Sequence, residues 1–248
     1  MSSDVHPVPA SSITTWDHEA DVVIAGFGIA GVTAAVEAAR AGADVLVLER
    51  AGSWGGAASM AGGFVYLGGG TPIQKACGFD DSVENMTAFL NVAMGPGADQ
   101  NRIADYCAGS LEHFDWLVDC GVPFKAEFWS EPGWEPMGDQ GLAYSGGENS
   151  YPFNTIAEPA PRGHVPQMSN KQQGLSSAGF MLMKPLVETA TQLGVRSVYD
   201  VRVQSLIVES DGRVAGITAR QFGKDITVRA RRGVVLATGS FAYNDAMV

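Results

Sequence analysis

A short apolar run, Asp21-Val22-Val23-Ile24-Ala25, leads directly into Gly26-Phe27-Gly28-Ile29-Ala30-Gly31, and this junction restricts the fold more than any other stretch of the chain. The run has the length and β-branched content of a strand buried on both faces. The glycines fit the spacing G-x-G-x-x-G, and the Ala-rich residues 28–41 carry helical character up to a stop at Gly42. Val45 to Leu48 reads as a second buried strand, which completes a strand–helix–strand unit of about thirty residues. Each glycine then has a mechanical reason. Gly26 permits a tight turn, Gly28 lets backbone approach a pyrophosphate, and Gly31 lets the helix pack closely on the strand. The helix N-terminus adds free N–H groups and a partial positive charge. Glu49 ends the second strand 18 residues after Gly31. A carboxylate there accepts hydrogen bonds from both ribose hydroxyls and repels a 2′-phosphate. The opening fifty residues predict a site for an ADP-bearing dinucleotide other than NADP, and NAD and FAD both satisfy it.

Two later features favour FAD. Gly55-Gly56 and Gly62-Gly63 flank Ala57-Ala58-Ser59, and such doublets let backbone pass a diphosphate and a flat ring system without side-chain clash. Ala237-Thr238-Gly239 closes the apolar run Gly233–Ala237, placing small residues at the carboxyl edge of a sheet, where ligands bind. The alternative for each is an ordinary tight turn.

Between these ends the pattern is uneven. Residues 1–16 read as a flexible N-terminal arm and 17–248 as one binding domain. Asp81 to Met94 reads as a helix capped by Asp81 or Ser82. A longer helix is expected over Asp99–Cys120, with Ile103, Cys107, Leu111, Phe114 and Val118 as its buried stripe. Residues 122–178 are rich in Pro, Gly, Trp and Asn and show no sustained period. Phe180 to Leu193 returns to helix, and Pro185 is expected to distort its first turns. Val201–Ser210 and Val214–Gln221 read as strands joined at Asp211-Gly212, and Ile226–Ala230 as a third. The expected class is α/β: a Rossmann-like parallel sheet plus a small antiparallel β-layer.

Charge and cysteine content narrow the partners. The net charge of −11 argues against an anionic nucleic acid or membrane surface. Arg229, Arg231 and Arg232 are the only basic cluster and read as a solvated turn. The three cysteines form neither a disulfide framework nor a zinc spacing. No apolar stretch reaches the roughly 18 residues of a membrane span. A cytoplasmic location is expected.

The glycine fingerprint, Glu49-Arg50, GGAASMAGG (55–63) and ATGS (237–240) resemble the fumarate reductase/3-ketosteroid dehydrogenase flavoprotein superfamily. Within it, GGFVYLGGGTPIQKACGFDDS, DCGVPF, EPGWEP, YSGGEN and PRGHVPQM resemble bacterial 3-ketosteroid 4(5α)-dehydrogenases, from about residue 17 onward. The resemblance implies extended, noncovalent FAD, since Ala57 and Ala58 stand where respiratory fumarate reductases attach flavin through histidine. It puts Gly26, Gly28, Ile29, Ala30 and Gly31 on the diphosphate, and Glu49 with Arg50 at the adenosine ribose. Gly55, Gly56, Ala57, Ala58 and Ser59, then Gly62 and Gly63, would run past diphosphate, ribityl chain and flavin. Val203 falls where the family pairs backbone with adenine, and Ala237, Thr238 and Gly239 near adenosine and diphosphate. The implied reaction puts a C=C bond beside a ketone, a base taking a proton while FAD accepts hydride, with 3-ketosteroid as substrate and an external electron acceptor.

On the same resemblance, the substrate domain, the returning segment and the catalytic tyrosines follow the ATG motif, whereas this sequence ends nine residues after Gly239. The chain is therefore expected to be an N-terminal part, holding FAD weakly and inactive alone, with no catalytic residue of its own. A fumarate-reductase-like enzyme acting on small acids and a noncatalytic dinucleotide-binding module are the alternatives. Arg162 is the one arginine of residues 122–178, which leans away from a dicarboxylate. His164 reads first as a loop histidine bonded to backbone, and second as a group facing flavin. Trp129, Trp134, Tyr66 and Tyr144 read first as packing residues and second as pocket residues.

Overall fold

The buried apolar runs of the sequence become neighbouring strands in the computed structural model, which describes residues 6–131, 135–174, 176–242, 244–245 and 247–248. Trp134 lies outside them. In chain order the elements are β1 (Val8–Pro9), β2 (His18–Ala25), α1 (Ile29–Arg40), β3 (Val45–Leu48), β4 (Val65–Tyr66), α2 (Pro72–Ala76), α3 (Val83–Ala93), α4 (Gln100–Ala108) and α5 (Ser110–Asp119). Then come β5 (Leu142–Ala143), β6 (Gly163–His164), α6 (Ser169–Gln172), α7 (Ala178–Gln192), β7 (Arg196–Val198), β8 (Val201–Val208), β9 (Val214–Gln221) and β10 (Lys224–Leu236). The chain divides into one unit of Met1–Ala58 with Leu186–Val248 and a second of Ser59–Pro185.

The first unit is built on a seven-stranded sheet in the order β1-β8-β9-β10-β2-β3-β7. β10, β2, β3 and β7 run parallel, while β8, β9 and β10 pair antiparallel. The antiparallel strands are thus continuous with the parallel ones. Within the segment expected as an arm, Val8 and Pro9 pair in parallel with Ile207 and Val208. Ala20, Val23, Leu46, Leu48, Val201, Ile217, Ala219, Val228 and Ala230 share one core. The α1 helix buries Gly31, Val32, Ala35 and Val36, the small residues of the face that the period of 3.6 turns toward the sheet.

β10 corrects the expectation of two separate strands. It is one strand of 13 residues, bulged between Ala230 and Gly233 where it changes register against β2. The bulge inserts one extra residue and leaves the pairing intact on both sides. Arg231 and Arg232 sit at this bulge, in a strand and not a turn. Arg231 Nε lies 2.9 Å from Asp21 Oδ1 and its Nη2 3.0 Å from Asp44 Oδ2. The hairpin at Asp211-Gly212 is as expected, with the Gly212 N–H donating to Glu209 O at 3.0 Å.

In the second unit α3 is capped by Ser82, whose hydroxyl accepts from the Asn85 N–H at 3.1 Å. The helix expected over Asp99–Cys120 is two helices, α4 and α5, meeting at Gly109. The break moves the buried face by one residue. Leu117 is 2% exposed, whereas Val118 of the expected stripe is 45% exposed. The unpatterned region supplies β5 and β6, which form an antiparallel sheet in the order β4-β6-β5. Two-residue strands are too short to show a period.

Candidate functional site

Strand register brings the dinucleotide residues of the first unit to one edge. Leu236 is the partner of Ala25, Ala25 of Leu48, and Leu48 of Val198, so four parallel strands end level. Gly26, Glu49 and Ala237 are the residues that follow at this carboxyl edge, where open α/β sheets bind ligands. The Gly26 N–H donates to Leu48 O at 2.8 Å, and the Ala237 N–H to Ala25 O at 2.9 Å.

The turn between β2 and α1 needs two of its glycines for steric reasons. Gly26 has φ +103°, and a Cβ there would stand 2.3 Å from Ala237 O. A Cβ on Gly31 would stand 1.9 Å from Gly26 O. No real side chain fits at either distance. Gly28 is different: its Cβ would find only Gly55 O, at 3.9 Å, so the protein itself does not demand glycine there. A glycine there leaves the backbone open to close approach by a ligand.

Beyond Gly28 the mouth is lined with amides. Gly28 caps α1 without a side-chain hydrogen bond, and the first turn holds no acidic residue. The first helical bond runs from the Val32 N–H to Gly28 O, at 2.9 Å. The N–H groups of Ile29, Ala30 and Gly31 therefore precede the helical ladder, as an anion site requires. Ile29 and Ala30 are exposed and Gly31 is buried.

Glu49 is aimed at this mouth. Its Oε2 accepts from the Phe27 N–H at 2.6 Å and its Oε1 from the Ala51 N–H at 2.8 Å. Each carboxylate oxygen keeps a second lone pair, which suits a ribose diol. Arg50 is exposed beside it. The Gly55 N–H donates to Phe27 O at 2.9 Å, and a Cβ on Gly56 would meet Gly28 Cα at 3.4 Å. The first doublet thus lies against the glycine turn, and Ala57 and Ala58 follow it.

Val203 lies on β8 opposite Ala219. The Val201 N–H donates to Glu49 O at 2.9 Å, away from β9. Backbone groups two residues on face the same way, so Val203 turns its N–H and C=O toward the Glu49 side. Ala237 and Thr238 stand against Gly26, and Gly239 follows with open space around it. The structure brings all of these together except Ser59, Gly62 and Gly63, which belong to the second unit. There Ser59 O accepts from the Ser177 hydroxyl, Gly62 is half-buried, and Gly63 packs so closely on Ala178 that a Cβ would lie 2.5 Å from its carbonyl carbon.

The second unit holds a buried polar network that the sequence reading missed. Arg162 grips Asp81 with two bonds, Nε–Oδ2 at 3.0 Å and Nη2–Oδ1 at 2.7 Å, with both side chains wholly buried. Burial pushes the Asp81 carboxyl up, but Arg162, the Gly69 N–H and Asn85 outweigh it and hold the group below its ordinary value. Gln74 Nε2 donates to Asp81 Oδ2 at 3.1 Å and to Pro161 O at 2.8 Å. Thr71 and Gln74 form a capping box on α2, a T-x-x-Q spacing legible in sequence. His164 completes the network: Nδ1 faces Arg162 O at 3.1 Å and Nε2 faces Thr71 Oγ1 at 2.9 Å. It bonds to backbone as expected, but it lies in strand β6 and not in a loop. Tyr144 packs edge-on against Phe79 and Phe128.

Residues 21–247 match the family model described as an FAD binding domain. The crystal structure of 3-ketosteroid-delta4-(5alpha)-dehydrogenase from Rhodococcus jostii RHA1, in complex with 4-androstene-3,17-dione, superposes with a TM-score of 0.94 at 69% identity. The match covers 98% of this chain and 50% of that one. The 3-oxo-5-alpha-steroid 4-dehydrogenase of Comamonas testosteroni is 32% identical over 86% of this chain and 40% of its own. The acrylate reductase flavoprotein subunit of Shewanella woodyi is 30% identical over 92% of this chain and 40% of its own. The chain spans about half the length of the solved relative and less of the curated ones. Matched over residues 21–247, this chain belongs to the FAD-binding-domain family of flavoproteins.

Proposed function

We propose that the chain holds FAD noncovalently as the cofactor-binding part of a 3-ketosteroid dehydrogenase. Residues 17–248 serve this role behind a short N-terminal arm, in the cytoplasm. One observation carries the reading: the open amide mouth of α1 stands beside a glutamate already bonded to the phosphate turn. Gly26, Gly28, Ile29, Ala30 and Gly31 bind the diphosphate through backbone. Glu49 orients the adenosine ribose with Arg50 alongside, and Val203 pairs with adenine. Gly55, Gly56, Ala57, Ala58, Ser59, Gly62 and Gly63 pass the diphosphate and flavin, and Ala237, Thr238 and Gly239 close the adenosine end. Bound FAD supplies the hydride acceptor for placing a C=C bond next to a ketone.

The name and bound steroid of the Rhodococcus jostii protein support the substrate class. Arg162 points the same way, because its ion pair with Asp81 leaves it poorly placed to clamp a small dicarboxylate. FAD titration followed by flavin fluorescence tests the cofactor, with NAD and NADP as controls. FAD should bind and NADP should not. Glu49→Gln should weaken FAD about tenfold or more, since bonds to a charged group contribute ~1.5–3 kcal/mol. A protein that stays colourless with FAD refutes the reading. Turnover of 4-androstene-3,17-dione or its reduced counterpart by the whole protein tests the substrate.

A further inference from the structure

Among the described residues of the second unit, four buried polar atoms have no hydrogen-bond partner in the protein; apart from Trp129 Nε1, they belong to neighbouring side chains: the Tyr66 hydroxyl, Glu148 Oε1 and Arg162 Nη1. They gather around one ring, that of Phe89. The Tyr66 ring stacks on it with centroids 6.3 Å apart, and the Arg162 guanidinium carbon lies 5.3 Å from its centroid. A Cβ on Gly146 would stand 3.4 Å from both Phe89 Cζ and Glu148 Oε1, which puts the carboxylate at the same ring.

The rest of each side chain is already held in place. Glu148 Oε2 accepts from the N–H groups of Ser145 at 3.2 Å and Gly146 at 2.9 Å. Arg162 spends Nε and Nη2 on Asp81. The third atoms are therefore fixed in direction. Burial and then the Glu148 charge push the Tyr66 hydroxyl far above its ordinary range, with Arg162 opposing. Tyr66 lies within reach of both Glu148 and Arg162, yet none of the three atoms has a partner of normal hydrogen-bond geometry.

A buried polar atom left unpaired costs ~1–3 kcal/mol, and native interiors rarely leave three together. What joins them must accept from Arg162, donate to Glu148 and do either with Tyr66. It must also be small, because all three atoms are sealed from solvent. We propose that Tyr66 Oη, Glu148 Oε1 and Arg162 Nη1 bind one internal water molecule. It accepts from Arg162 and bridges to Glu148 and Tyr66, the roughly three bonds usual for buried water. The site ties together the segments GGFVYLGGG, YSGGEN and PRGHVPQM.

A crystal structure of the whole protein that resolves ordered solvent tests this. A solvent peak about 2.6–3.2 Å from all three atoms is expected. A direct Tyr66–Glu148 hydrogen bond with no peak, or a side chain from elsewhere filling the place, overturns it. In solution, Tyr66→Phe and Glu148→Ala should be coupled through the shared water. Together they should shift the unfolding equilibrium about threefold less, or less still, than the product of the single shifts. Strictly multiplicative effects reject the shared site.

Discussion

Lowering the pH from 7 to 5 should destabilise the second unit through one residue, His164. Its side chain is wholly buried, and its partners define its tautomer. Nδ1 faces a carbonyl, Arg162 O, so it carries the proton, and Nε2 accepts from the Thr71 hydroxyl. That hydroxyl oxygen in turn accepts from the Gln74 N–H at 3.2 Å. A second ring proton would have to displace this chain. Burial pushes the imidazole from 6.5 down to about 4, the hydrogen bond to Arg162 O opposing. Between those values the folded ring stays neutral while the unfolded one is protonated. The unfolded chain then binds more protons, so stability falls as pH drops below 6.5 and levels off below about 4. The loss reaches roughly 2 kcal/mol at pH 5 and roughly 3 kcal/mol at the plateau. Urea unfolding at pH 7 and pH 5 measures it, with His164→Gln as the reference that cancels other titrating groups. Wild type should lose roughly 2 kcal/mol more than the variant. Equal losses, or an NMR titration placing the His164 ring near 6.5, would refute the assignment.

Other expectations concern single positions. Gly31→Ala puts a methyl on Gly26 O and should lower FAD affinity about a hundredfold or more, ~3 kcal/mol, in a fluorescence titration; unchanged affinity would remove the turn from the site. Asp81→Ala strands the Arg162 charge in the interior and should cost ~3–5 kcal/mol by chemical denaturation. A loss under about 1 kcal/mol would mean that Arg162 finds another partner. Leu117→Ala should cost ~2–5 kcal/mol and Val118→Ala under about 0.5 kcal/mol. The reverse order would show that α4 and α5 form one continuous helix.

Local chemistry was legible wherever the constraint lies within a few residues. The strand Asp21–Ala25, the glycine turn, α1 and the acid at Glu49 follow from periods, turn sterics and spacing over about thirty residues. Those forces act between chain neighbours, so sequence order carries them. The α4/α5 break is a near miss of the same kind. Gly109 was visible, but the apolar spacing of Ile103 through Phe114 runs across it unbroken, and only tertiary packing chose Leu117 over Val118.

Contacts between distant segments needed the fold. That Ala237 stands 2.3 Å from where a Gly26 side chain would be depends on β10 pairing beside β2 and on the one-residue bulge that sets its register. The pairing of Arg162 with Asp81, 81 positions apart, rests on loops with no period of their own. A buried charge must find its opposite wherever the chain leads it, and that search is settled in three dimensions. The sequence by itself determined the cofactor-binding turn; the tertiary structure decided what surrounds it, because register and burial belong to the assembled sheet and core.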